Sequence, residues 1–99
     1  MELKPFHETI VMAIHSCLGD FYASLATGTS GVVASKFLCE KLGLIQYLIE
    51  RTVIPTNKLP EIVSAITNIY QETQKQYKSV GSTDVEAVFR SLIEDLEKR

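Results

Sequence analysis

The sequence predicts an all-α fold, a four-helix bundle in an antiparallel or orthogonal arrangement, that forms a single domain over residues 1–99. Apolar residues recur at intervals of three and four in four segments, which is the period of an amphipathic helix. Glycine, proline and hydroxyl residues separate these segments, and no alternating strand pattern appears. The length of 99 residues fits one hydrophobic core, because two half-sized cores would each be too small to be stable.

The first helix is predicted over residues 5–26. Pro5 suits a first helical position, and Glu8 lies in the first turn, where the helix dipole favours an anion. Gly28 is expected to end the helix, because glycine adopts the left-handed conformation of a C-terminus at little cost. One broad face is apolar and contains Phe6, Ile10, Ala13, Ile14, Cys17, Leu18, Phe21 and Leu25.

The second helix is predicted over residues 30–52, with a hydroxyl N-cap at Thr29 or Ser30. Residues 32–54 are the most apolar part of the chain, but five charged residues interrupt them, so they form a core segment rather than a membrane span. Gly43 allows two interpretations: one long helix that tolerates it at about 1 kcal/mol, or a break or kink, which we favour. One apolar side is expected to contain Phe37, Leu38, Leu42, Leu44, Ile45, Leu48 and Ile49.

The third and fourth helices are predicted over residues 58–79 and 83–98. Pro55 and the turn residues after it separate the third helix from the second, and Gly81 is expected to end it. Thr83 and Glu86 match a capping box at the start of the fourth helix. Lys98 and Arg99 suit the negative end of that helix's own dipole.

Composition limits the classes of function. The net charge of −2 and pI near 5.6 provide no overall positive field for nucleic acid or anionic lipid, so neither partner is favoured. Cys17 and Cys39 have no spaced partners, and the first ten residues show no signal-peptide pattern. We therefore expect a soluble cytoplasmic protein with two reduced thiols and no contact with a membrane.

No catalytic or metal-binding motif is recognisable. His7 and Glu8 begin like a zinc-protease motif, but Val11 occupies the position of its second histidine, and His15 lies two turns away. No combination of serine, histidine and acid is present at a spacing typical of nucleophilic catalysis. We expect no enzyme activity, no cofactor and no metal.

The leading prediction is a small interaction or regulatory module that presents helix surface to a protein partner and forms a homodimer. Four short helices this rich in large aliphatic residues have more apolar face than one bundle interior hides, and symmetric dimers are the usual outlet. The expected contact residues are Tyr22, Leu44, Tyr47, Val53 and Tyr70.

Residues 38–52 resemble a helix-turn-helix, with Gly43 at the turn and branched aliphatic residues after it. This resemblance implies DNA binding through a recognition helix that presents Gln46, Tyr47 and Arg51. The absence of an N-cap for that helix and the acidic Glu50 argue against it. A phosphate-binding surface would also require four cations to converge on one face: Lys36, Lys41, Arg51 and Lys58.

His15 and Gly19 give a slight resemblance to histidine phosphotransfer domains, which are four-helix bundles with a phosphorylatable histidine on a helix. The resemblance implies His15 as the phosphoacceptor. Leu18 stands where those domains carry a lysine that helps to neutralise the phosphoryl charge, so the motif is only partly present.

Overall fold

A computed structural model describes residues 6–79 and 83–99, with side chains for residues 6–74 and 84–99. Four α-helices pack against each other, and the described residues contain no strand. They are α1 (Phe6–Ala26), α2 (Gly31–Glu50), α3 (Leu59–Ser79) and α4 (Thr83–Glu97). A short 3₁₀ turn, Thr56–Lys58, precedes α3. The predicted all-α four-helix bundle is therefore confirmed.

The link between α1 and α2 forms as the sequence predicts. Gly28 has a φ of 96°, the left-handed conformation that ends α1. Ser30 is the N-cap of α2, and its hydroxyl accepts a hydrogen bond from the backbone amide of Val33 at 3.3 Å. The predicted cap of α4 lies outside the described side chains, because it depends on Thr83, and the predicted end of α3 at Gly81 also lies outside the described residues.

The predicted break at Gly43 is wrong. α2 is one continuous helix from Gly31 to Glu50, with Gly43 in its interior. A Cβ atom at Gly43 would meet open space, so no close backbone contact requires the glycine in the monomer. The helix tolerates it because the six buried side chains of α2 hold the segments on both sides of Gly43 against one core: Ala34, Ser35, Leu38, Leu42, Ile45 and Ile49.

The four helices form two hairpins that pack side by side. α1 packs on α2 and α4 packs on α3, while α2 also contacts α4 and α1 contacts α3. The first turn of α1 adjoins the start of α3 around Lys58 and Ile62, and Arg99 after α4 reaches the end of α2. α1 therefore runs in the same direction as α3, and α2 runs in the same direction as α4. The link of residues 51–58 crosses the bundle diagonally.

The core lies along the axis between the two hairpins. Every helix contributes fully buried aliphatic side chains, and Phe89 of α4 is the largest fully buried residue. α1 is long and apolar enough to cross a membrane by length and composition alone, but it is also a core helix. Its residues in the core are Ile10, Ile14, Leu18 and Phe21.

Candidate interaction surface

Exposed large hydrophobic side chains concentrate on the solvent side of α2. Eight large hydrophobic side chains among the described residues are exposed, and six of them lie on this one helix. Monomeric soluble proteins rarely expose large contiguous apolar patches, and such a patch marks an interaction site. The six are Val32, Val33, Phe37, Leu44, Tyr47 and Leu48.

We call the surface formed by Val33, Phe37, Glu40, Leu44, Tyr47 and Arg51 the outer α2 face. All six side chains are exposed, and they recur at alternating steps of four and three residues. This spacing keeps them on one side of a helix. The opposite side of α2 is fully used by the core, because α2 packs on both α1 and α4. The helix is thus apolar on two opposite sides, and the described residues cover one of them.

Charged side chains make contacts beside this surface on the α1 side and at its C-terminal end. On the α1 side, the ammonium of Lys41 lies 3.0 Å from a carboxylate oxygen of Asp20. At the C-terminal end, the guanidinium of Arg51 lies 3.6 Å from the centroid of the Tyr47 ring. That distance is typical of a cation–π contact, so Arg51 shields one side of the ring and restrains its orientation.

A shallow groove runs between α1 and α2 beside Phe37. It has a volume of about 180 Å³ and is lined by Cys17, Ser24, Phe37 and Lys41, among others. Burial raises the pKa of the Cys17 thiol above its ordinary value of 9.0, although Lys41 acts in the opposite direction. Burial and the nearby Asp84 likewise raise the pKa of Cys39. Both thiols are half-buried and remain protonated at neutral pH, so neither is an activated nucleophile.

The predicted contact residues divide into two groups. Leu44, Tyr47 and Val53 are exposed, and Val53 is 90% exposed. Tyr22 is half-buried, with its ring centroid 5.6 Å from that of Phe21. Tyr70 is also half-buried and donates a hydrogen bond of 2.8 Å to Glu86, so neither tyrosine is a freely projecting anchor.

The sequence pattern groups Phe37, Leu44 and Leu48 on one apolar side of α2 with four core residues, although Leu44 is also predicted as a contact residue, and this grouping is wrong. Phe37, Leu44 and Leu48 are exposed, whereas Leu38, Leu42, Ile45 and Ile49 are buried. Each of the three exposed residues directly precedes a buried one. Neighbouring residues point in different directions around a helix, so the two sets lie on different sides of α2. Phe37, Leu48 and Val33 are therefore contact candidates that the sequence analysis missed. Val33 and Phe37 belong to the series of four- and three-residue steps that contains Tyr47, and that spacing was the signal that could have found them, whereas Leu48 lies outside the series.

The residues predicted to read DNA do not form a free recognition surface. Gln46 donates hydrogen bonds to Asp95 and Ser91 of α4, which hold it in the contact between the two helices. The turn on which the helix-turn-helix resemblance depends is absent, because α2 is continuous. Lys41 is paired with Asp20, and Lys58 lies 3.7 Å from Glu61. DNA binding stays a prediction without a supporting contact in this structure.

His15 lies on the exposed side of α1, which is the placement that phosphotransfer requires. Leu18, which replaces the lysine of phosphotransfer domains, is buried in the core. Phosphorylation of His15 therefore stays a prediction, and acid-labile phosphate on this histidine after exposure to a phosphodonor is its test. Among the described residues, no three His, Cys, Asp or Glu side chains come together as metal ligands would.

Two further grooves lie at the end of the bundle where α3 begins. One has a volume of about 350 Å³ and separates the start of α3 from the end of α4, where Val63, Leu96 and Arg99 line it. The other, of similar volume, lies between α1 and α3 and is lined by His7, Lys58 and Glu61, among others. Both are open to solvent, whereas a small-molecule site encloses most of the surface of its ligand.

Comparisons of this chain with models of known protein families, with curated proteins and with solved structures find no match.

Proposed function

We propose that this protein is a small, non-catalytic interaction module that associates with a second copy of itself through the outer α2 face. The observation that carries the proposal is the concentration of exposed large hydrophobic side chains on one side of α2. Burial of apolar area contributes roughly 25 cal/mol per Å², so covering this face stabilises an assembly. The proposal places the module in the cytoplasm, where Cys17 and Cys39 stay reduced.

A second copy is the occupant that the composition of this face favours. The face carries both Glu40 and Arg51, with Lys36 and Glu50 beside it. A surface with both signs of charge and a central apolar stripe is complementary to itself, as a two-fold symmetric interface requires. A strongly charged foreign partner would instead need an excess of one sign on this face.

Sedimentation equilibrium of the full chain over a range from low to high micromolar concentrations tests this proposal. We expect a reversible equilibrium between monomer and dimer. Phe37→Ser and Leu44→Ser should each raise the dimer dissociation constant at least tenfold, because truncation of a central hydrophobic contact typically costs more than 1 kcal/mol and each residue occurs twice in the interface.

Met12→Ser is the matched control. Met12 is 69% exposed but lies on α1, away from the outer α2 face, so its substitution removes an exposed apolar side chain without touching the proposed interface. Circular dichroism verifies that each variant keeps the helical fold. A chain that remains strictly monomeric at high micromolar concentration, or a Met12→Ser variant that dissociates as readily as Phe37→Ser, would overturn the proposal.

A further inference from the structure

The spacing of the outer α2 face is that of a coiled-coil seam. Val33, Phe37, Glu40, Leu44, Tyr47 and Arg51 follow one another at steps of four, three, four, three and four, and each is exposed. A seam with this alternation packs against another helix by inserting each side chain between residues of the partner. Two copies of the seam can therefore pair in a small number of registers. The positions of Glu40 and Arg51 determine which of these registers are favourable.

A parallel arrangement of two copies is unfavourable. In a parallel pair in register, each seam residue faces its own copy across the two-fold axis. Glu40 would face Glu40 of the second copy, and Arg51 would face Arg51. Like charges in direct opposition at a partly desolvated seam oppose association, so this orientation is disfavoured at two levels of the same helix.

An antiparallel arrangement removes both conflicts. The register that aligns Phe37 with Tyr47 of the second copy also aligns Val33 with Arg51 and Glu40 with Leu44. The two Glu40 side chains are then displaced by four residues, or about 6 Å along the helix axis. The Phe37 and Tyr47 rings form two aromatic pairs, one on each side of the centre, and such pairs contribute beyond the area that they bury.

The row of residues beside the seam supports the same register. Lys36, Gly43 and Glu50 are seven residues apart and are all exposed. Antiparallel packing brings Lys36 close to Glu50 of the second copy, twice, so opposite charges meet. It brings Gly43 to Gly43 at the centre, where a Cβ atom would meet nothing within the monomer and where the two backbones can approach.

We infer that the dimer, which rests on the self-association proposed above, pairs α2 with α2 in antiparallel orientation about a two-fold axis beside Gly43, with Lys36 close to Glu50 of the second copy. Val32 lies at the start of α2 and Val53 lies just after its end, and they are the most exposed large hydrophobic residues of the described chain, at 78% and 90%. Antiparallel packing brings the start of one α2 towards the end of the other, so both valines lie near the ends of the contact. In this dimer, the two Gly43 residues meet at the centre of α2, and the two pairs of Lys36 and Glu50 lie towards its ends.

Disulfide trapping tests the orientation directly. In a full-length background with Cys17→Ala and Cys39→Ala, the variants Lys36→Cys and Glu50→Cys are oxidised with copper phenanthroline, separately and as an equimolar mixture. We expect the mixture to yield a covalent heterodimer at least tenfold faster than Lys36→Cys alone. Met12→Cys in the same background gives the rate of random collision.

A charge exchange provides a second readout that needs no cysteine. Lys36→Glu and Glu50→Lys should each weaken the dimer severalfold in sedimentation equilibrium, and the double variant should restore it, because the pair is then reversed but intact.

The possible results separate the orientation from the self-association. Rapid cross-linking of Lys36→Cys with itself, or a double charge variant without recovery, would overturn the antiparallel register while the dimer and its loss in Phe37→Ser still support the interface. A wild-type chain that is monomeric in sedimentation would overturn both.

Discussion

Ser35 is a polar residue on the buried side of α2. Its side chain is 6% exposed, and its hydroxyl has no hydrogen-bond partner. A buried hydroxyl without a partner costs roughly 1–3 kcal/mol relative to water. The hydroxyl of Thr73, which is also buried, donates to the carbonyl of Ile69 at 2.7 Å. Ser35 is therefore a site at which the native residue lowers the stability of the fold.

Ser35→Ala should raise the free energy of unfolding by about 1 kcal/mol or more, because it removes the unsatisfied hydroxyl and introduces the residue of highest helix propensity. Urea denaturation at low micromolar concentration measures the change. Ser16→Ala, on the exposed side of α1, is the control for helix propensity alone and should gain about 0.5 kcal/mol or less. A Ser35→Ala variant that is less stable than the wild type would contradict this account.

The contacts that could be predicted from the sequence are those between residues that are close together in the chain. Ser30 and Gly28 act locally, through a hydroxyl at a helix start and a left-handed conformation at a helix end, so their roles follow from the neighbouring residues alone. The role of Gln46 depends on α4, which lies 45 residues further along the chain at Ser91. No local pattern encodes such a contact.

Among the helices, α2 shows why its two ends could be predicted from the sequence while its continuity and its buried side could not. An apolar helix with a single glycine keeps its period, and packing on two neighbours keeps it continuous, so the predicted break at Gly43 is wrong. Because large aliphatic residues occur all around α2, its amphipathic pattern is weak, and hydrophobicity alone could not separate Phe37 and Leu44 from Leu38 and Ile45. Only the positions of α1 and α4 determine which side is covered.

The end of α2 is held by a residue of another element. The guanidinium of Arg99 donates hydrogen bonds to the backbone carbonyls of Thr52 and Ile49. The sequence predicts that Arg99 interacts with the dipole of its own helix, whereas in the structure it satisfies carbonyl groups at the end of α2. A cation at a helix C-terminus also interacts favourably with that helix's dipole.

Arg99→Ala should therefore lower the free energy of unfolding by about 1 kcal/mol, because two charge-assisted hydrogen bonds are lost and the α2 carbonyls turn to water. Urea denaturation measures this change, and hydrogen exchange should show faster opening of the last turn of α2. Lys98→Ala is the matched control, since Lys98 is exposed beside it, and should change stability by less than about 0.5 kcal/mol. Equal effects of the two substitutions would show that general charge, not the Arg99 contact, is responsible.

At the scale of the whole molecule, the order of the helices around the core explains how one face of α2 remains open. The diagonal link of residues 51–58 places α3 on the far side of the core from α2, so the helices that pack extensively on α2 among the described residues are α1 and α4. Four amphipathic segments of similar length are compatible with several such orders, and the sequence pattern does not distinguish them. The fold class was therefore predictable, but the site was only partly predictable, because its exposure depends on this order.

The proposed self-association predicts that the stability of the fold depends on protein concentration. A partner that binds only the folded state raises the apparent stability as its concentration increases, so the Tm of the wild-type chain should rise with protein concentration. In the antiparallel register that we propose, Glu40 would lie opposite Leu44 of the second copy as the acidic member of the seam. A single polar residue at a seam position sets the register but weakens the assembly.

Glu40→Leu should accordingly lower the dimer dissociation constant at least tenfold, because it replaces a desolvated carboxylate by an apolar contact that occurs twice. Differential scanning calorimetry over a hundredfold range of concentration should show the Tm of this variant above that of the wild type, and sedimentation equilibrium gives the dissociation constants. Glu94→Leu, an exposed substitution of the same kind on α4, is the control and should leave the dissociation constant unchanged. If Glu40→Leu dissociated as readily as the wild type while Phe37→Ser became monomeric, Glu40 would lie outside the contact, and the interface would be confined to one end of the outer α2 face.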